Sequence, residues 1–269
     1  MSFAQRTVQS LYFDWHSEDR NAIEENAAVK FMMRCLQASG ARPACLMLVL
    51  AGLAAGCVPS ITQQAEVGYL QAPADFPEAY YRQAEALGRK VMRIDPQQSL
   101  VTIDVRRGGP LARLGHDHVV TSHDVRGYVD VAGGRADLYV PLDRLTVDEP
   151  DLRSEAGLAA QPSKEAVEGT RRNMLEKVLE TSRFPFAQIR ATRGADDPSK
   201  LVVTITLHGA TQTFEIPAQI ETHPGGIRIG GQMKLNQTDF GIVPLSVLGG
   251  GLQVQDRVDM RFRIFAGEN

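Results

Sequence analysis

The stretch Leu201-Val202-Val203-Thr204-Ile205-Thr206-Leu207 carries the plainest periodic signal in the chain. Leu201, Val203, Ile205 and Leu207 fall on one face, and Val202, Thr204, Thr206 and then His208 on the other. Alternation of this kind reads as a β-strand with one buried face. The pattern recurs on both sides of it. Ser99 to Arg106 places Val101, Ile103 and Val105 together, and Phe214, Ile216, Ala218 and Ile220 alternate with polar residues. Ile227 to Leu235 and Val254 to Phe265 behave likewise, and Arg126 to Val131 and Ala136 to Leu142 do so more loosely. Gly133-Gly134 and Pro224-Gly225-Gly226 mark turns between these runs. The spacing predicts eight to nine strands in a mostly antiparallel sheet. A sheet of that size needs closure, a second sheet or a helix to protect its edges. One helix interrupts the strands. Ser163 is a candidate N-cap, and Val167, Met174, Leu175, Val178 and Leu179 form an apolar stripe up to about Thr181. Phe184-Pro185 then restarts extended chain.

Composition narrows the class. Of 269 residues, 43% are hydrophobic and 23% charged, which is the balance of a globular chain. The net charge of −3, from 29 basic and 32 acidic residues, leaves no electrostatic footprint for nucleic acid. Aromatic residues at 6% are too few for a single-strand stacking platform.

Near the N-terminus, Ala44 to Gly56 reads ACLMLVLAGLAAG. As a helix it spans about 20 Å, short of a hydrocarbon core of about 30 Å, so it suits a signal-peptide apolar region rather than a membrane span. Arg34 and Arg42 precede it, and Met32 or Met33 is the expected translation start. Leu53-Ala54-Ala55-Gly56-Cys57 resembles the lipobox of bacterial lipoproteins, with Ala54 where Leu is usual. That resemblance implies acylation of Cys57 and attachment to a membrane facing the periplasm, at the outer membrane if the host is Gram-negative, since Val58 is not the inner-membrane-retaining Asp. Cys35 and Cys45 precede the cleavage site, so the processed chain holds Cys57 alone and no internal disulfide is expected. The expected organisation is a leader over 1–56, a proline-bearing tether over 57–90 with a short helix from Glu78 to Arg89 on which Tyr81, Ala84 and Leu87 share one face, and a β domain over 91–266.

Four motifs follow in order within that domain. They are Ile94-Asp95-Pro96-Gln97-Gln98-Ser99, Phe184-Pro185 leading into Phe186 to Ile189, Leu207-His208-Gly209-Ala210-Thr211, and Thr238-Asp239-Phe240-Gly241-Ile242. Their order and spacing resemble the YceI-like, polyisoprenoid-binding family. The resemblance implies a mainly β, lipocalin-like antiparallel barrel of about eight strands with one covering α-helix. It also implies a long isoprenoid lipid or polyprenyl quinone held in the barrel interior. The chain departs from the family where Gln98 stands for a common His, where Asn173 to Arg183 is a charged helix rather than an aromatic-rich run, and where Pro150 to Pro162 forms an added loop.

Among the polar residues, Gly115-His116-Asp117-His118 is the sharpest feature. In extended chain His116 and His118 share a face, and two imidazoles at that spacing could share a divalent metal, with His123, His208 or Asp239 as further ligands. The alternative is that the pair orders a loop at the rim through hydrogen bonds. His208 reads as a turn residue. Glu149, Asp151 and Glu155 read as a solvated face, and Gly249-Gly250-Gly251 as a mouth loop. Asp239-Phe240-Gly241 lacks the rest of a kinase signature, Ser246 lacks a nucleophile elbow, and no catalytic set is legible. Three functions follow: an envelope lipoprotein enclosing an apolar ligand, a metal-binding or metal-dependent envelope protein using His116 and His118, or a structural lipoprotein with a filled barrel.

Overall fold

The computed structural model describes residues 71–158, 160–197 and 199–268. They belong to one compact unit, Gln63–Asn269. The expectations for the leader, the cysteines and Cys57 lie outside the described residues.

Eight strands form the body. β1 comprises Val91–Ile94 and Leu100–Val105, parted by a 3-10 turn at Pro96–Gln98 that Asp95 caps by accepting from Gln97 N. β2 comprises His118–Ser122 and Arg126–Asp130, and β3 comprises Arg135–Pro141 and Thr146–Val147. β4 is Phe186–Arg193, β5 Lys200–Leu207, β6 Ala210–His223, β7 Gly226–Asn236 and β8 Arg257–Gly267. Each strand pairs antiparallel with the next. β8 then pairs with β1, setting Arg261 opposite Thr102 and Ala266 opposite Ile94. That last pairing closes the sheet into an up-and-down barrel and removes its edges. The antiparallel barrel implied by the motifs is the fold the chain adopts.

Inward positions are the apolar ones of each alternating run. Leu201, Val203 and Ile205 from β5 meet Ile216, Met233, Leu235 and Val258, while Ile94, Val120, Val129, Leu138 and Val140 form a second group with Ile264. Gly127 in β2 has φ +142°, and a Cβ there would lie 2.1 Å from Asp137 O of β3. Only glycine allows the two strands to approach this closely.

Among the described residues three α-helices lie around the barrel: α1 at Glu78–Ala86, α2 at Pro150–Glu155, and α3 at Lys164–Asn173, which continues into a π turn at Met174–Val178. Ser163 caps α3 by accepting from Ala166 N, as its sequence indicates. Arg171 fastens α3 to the barrel by donating to Leu145 O at 2.8 Å. Among the described residues no helix is long and apolar enough to cross a membrane.

Three expectations are corrected. The segment 57–90 is not a tether from Phe76 onward, because Phe76, Tyr81 and Ala84 are buried against the barrel's outer wall. Helix α1 also stops at Ala86, which leaves Leu87 70% exposed instead of on the packed face. The segment Pro150 to Pro162 is not all loop. Pro150 opens α2 at the first helical position, where its missing N–H is no loss.

Candidate functional site

The inward side chains line a cavity of about 280 Å³ inside the barrel. Every strand contributes, for example Val101, Val120, Leu138, Ile189, Ile205, Ile216, Ile229 and Phe262, and α3 closes over it with Thr170, Met174, Val178 and Leu179. The π turn carries the last contacts of α3. Such turns widen a helix by one residue and recur at functional sites.

Polar lining groups are few: His118, Ser122, Thr170, Asn236 and Gln237. All but Ser122 stand at one end, where the β1–β2 link (106–117), the β3–β4 link (148–185) and the β7–β8 link (237–256) gather. At this mouth a small sheet of Arg107–Gly108, Leu252–Val254 and Ser246–Val247 stitches the first and last links together.

His118 opens β2, and its Nδ1 lies 2.6 Å from Asp148 Oδ2. Asp148 is 2% exposed and also accepts from Val119 N at 3.0 Å and from Arg153 Nη1. Burial pushes the Asp148 carboxyl up, but the hydrogen bonds from His118, Val119 and Arg153 outweigh it and hold the group below its ordinary value. With Asp148 ionised, the His118 Nδ1 carries the proton. Arg153, 3% exposed, also donates to Asp117 O and Ala160 O, so α2 is pinned to the start of β2. Asp148 sits at φ +59°, a strained setting for a side-chain-bearing residue. Its own backbone is held there by Val119 O, which accepts its N–H, and by Gln161 Nε2, which donates to its carbonyl.

His116 and His118 do come together, with ring centroids 6.4 Å apart. Desolvation first, then the positive surroundings of His118, Arg107 and Arg153, hold His116 below the usual histidine range. The further ligands sought for this pair are not brought to it. His123 reaches Glu149 at 3.0 Å, His208 faces Glu180 at 3.4 Å, and Asp239 accepts from Asn236. Among the described residues no group of three His, Cys, Asp or Glu side chains could hold a metal ion. His208 occupies the β5–β6 turn at φ +52° with Gly209 beside it, the turn role its motif indicates. Glu149 is not simply solvated: it accepts from Thr146 and faces His123.

Two residues that sequence reasoning passed over matter most here, Asp148 and Arg153. The local signal was Pro150 following Asp148-Glu149, which marks a helix start and places Arg153 back over the carboxylate.

A closed up-and-down β-barrel with an apolar cavity and one polar mouth defines a small-ligand-enclosing class of architecture. The family model of the YceI-like domain matches residues 92–266, and the chain belongs to that family. No curated protein matches it. Among solved structures, it is similar to a polyisoprenoid binding domain from Saccharophagus degradans, at 11% identity over 66% of this chain and 98% of that one, TM-score 0.47. It is also similar to BcnA of Burkholderia cenocepacia, at 13% identity over 64% of this chain and 99% of that one, TM-score 0.43.

Proposed function

We propose that this protein is an envelope lipoprotein that encloses one long apolar chain, a polyisoprenoid or polyprenyl quinone, in its barrel. The observation that carries the reading is the cavity itself: about 280 Å³ lined on every strand by aliphatic and aromatic side chains. Burying an isoprenoid there gains about 25 cal/mol per Å² of apolar surface before ordering costs. The polar lining groups at one mouth, His118, Asn236 and Gln237, favour an amphiphile whose polar end lies at that mouth and whose tail fills the interior. Membership of the YceI-like family agrees with this assignment. The role is binding rather than catalysis, and no cofactor chemistry is invoked.

Attachment through acylated Cys57 completes the proposal. A diacylated residue holds a bilayer stably where a single chain does not. Its support is the apolar run ending in Ala55-Gly56-Cys57. Titration of the purified protein with a polyprenol of defined length tests the ligand reading. Saturation at one per chain is expected, and no binding at any chain length contradicts it.

A further inference from the structure

Exposed apolar side chains are concentrated at the polar-mouthed end of the barrel. Of the large exposed hydrophobics among the described residues, Leu87, Ile220, Val243, Val247 and Leu248, three fall within the β7–β8 link, at 80%, 42% and 56% exposure. Neighbouring residues of the same link turn inward, since Ile242, Leu245 and Val254 line the cavity. The link therefore carries apolar side chains both to solvent and to the interior. A tight turn with Gly249 at φ +61° and Gly250 at φ +90° lies beside Leu248 at its tip.

A second observation concerns where the chain arrives. Asp75 accepts from Gln188, two residues from the start of β4 at this same end. Arg89 reaches Asp130 at the opposite end, where β2 finishes. The described segment before the barrel thus runs along the wall away from the polar mouth, with its first residues nearer the mouth side.

We infer that this end of the barrel docks onto a lipid bilayer, with Val243, Val247 and Leu248 entering the lipid, and that the apolar ligand passes between bilayer and cavity along the β7–β8 link without crossing water. The inference rests on the apolar-ligand reading above. Arg106 and Arg107 at the mouth are paired with Asp104 and Asp117.

The test uses the full chain in phosphatidylcholine vesicles bearing brominated acyl chains. The one tryptophan of the sequence, Trp15, lies in the expected leader, so Trp15→Phe is combined with Val243→Trp in one variant and with Leu87→Trp in a control at another exposed site, and the introduced tryptophan is the sole reporter whether or not the leader is removed. Strong quenching and a blue shift are expected for the tryptophan at 243, and neither for that at 87. Equal behaviour of the two overturns the inference. A blue shift at 243 without quenching also overturns it, because the link is then covered by protein, such as a second copy. In parallel, Val243→Asp with Leu248→Asp should slow polyprenol transfer from vesicles by about tenfold or more while leaving the amount bound at equilibrium unchanged. Unchanged transfer overturns the route. Quenching reads the docking, whereas polyprenol bound per chain reads the ligand assignment, so the two failures are distinguishable.

Discussion

The Tyr81 hydroxyl donates a 2.8 Å hydrogen bond to Oδ2 of Asp137 on the barrel's outer wall. Arg135 and Arg190 donate to the same carboxylate at 2.6 and 2.8 Å. One residue earlier, Tyr80 does the same to Asp130, which Arg89 also engages. Around these bonds Phe76 packs edge-on against Tyr139 and Tyr81 stacks on Tyr128. The segment before the barrel is thereby part of the folded unit. Burial and the Asp137 carboxylate push the Tyr81 phenol far above its usual range, so the donor persists at any physiological pH.

Removing that donor should loosen the strap. Tyr81→Phe leaves Asp137 with both arginines, so a loss of about 1–2 kcal/mol in urea unfolding is expected. Asp137→Ala leaves the buried Tyr81 hydroxyl and the partly buried Arg135 without their acceptor and should cost about 2–3 kcal/mol. Equal, negligible effects would mean that the strap is not bonded as described.

Acid should weaken the fold late. Asp137 and Asp148 both have folded-state values below the ordinary 3.8, because their hydrogen bonds outweigh the cost of burial. Their contribution is fully present above that value and is lost as pH falls through the depressed folded values. His116 has a depressed folded value too, so the unfolded chain binds its proton first and a smaller loss begins as pH falls through the usual histidine range, near 6.5. Stability measured by urea unfolding should therefore fall slightly from about pH 7 to 5 and steeply below about pH 4. Asn at position 148 should remove part of the acid limb; an unaltered acid limb in Asp148→Asn contradicts the assignment.

His116 and His118 should order the mouth rather than hold a metal. His118→Ala removes a hydrogen bond to a buried carboxylate and should cost about 1.5–3 kcal/mol, with His116→Ala costing less. Elemental analysis of the purified protein should find no transition metal at one per chain. Finding one that disappears in the double variant would assign the pair to metal binding instead.

Gly127→Ala should be among the most damaging single changes in the barrel. A Cβ would lie 2.1 Å from Asp137 O, with φ at +142°, so β2 and β3 must separate at a cost of about 3 kcal/mol. A thermal midpoint unchanged from the parent would refute the close approach.

The barrel was legible because β5 and its neighbours keep apolar side chains inward and polar ones outward. Legibility fails in β3, where Ala136, Leu138 and Val140 line the cavity while Asp137 and Tyr139 on the other face are buried too. The outer face is covered by Phe76, which looks like a linker residue between Pro73 and Pro77, and by Tyr81 of α1. Their burial depends on partners some fifty residues away, which no local pattern encodes. A charged residue such as Asp137 inside a strand was the one available hint of a covering partner. At the mouth, the histidines stood out by type and spacing, but Asp148 and Arg153 did not, since their meeting depends on the turn into α2. The cavity follows from how inward side chains of eight strands fail to fill the interior, a property of volume rather than of pattern.

The occupancy of the interior is the central claim. Ala191 of β4 lines the cavity, and Ala191→Phe should fill part of it at a modest stability cost of about 1–3 kcal/mol. The decisive measurement is mass spectrometry of organic extracts from the protein purified out of its native membrane, beside the Ala191→Phe variant. One polyisoprenoid or polyprenyl quinone per chain in the parent, and much less in the variant, is the expected result. Extracts that hold no such lipid above a control membrane lipoprotein would contradict the account.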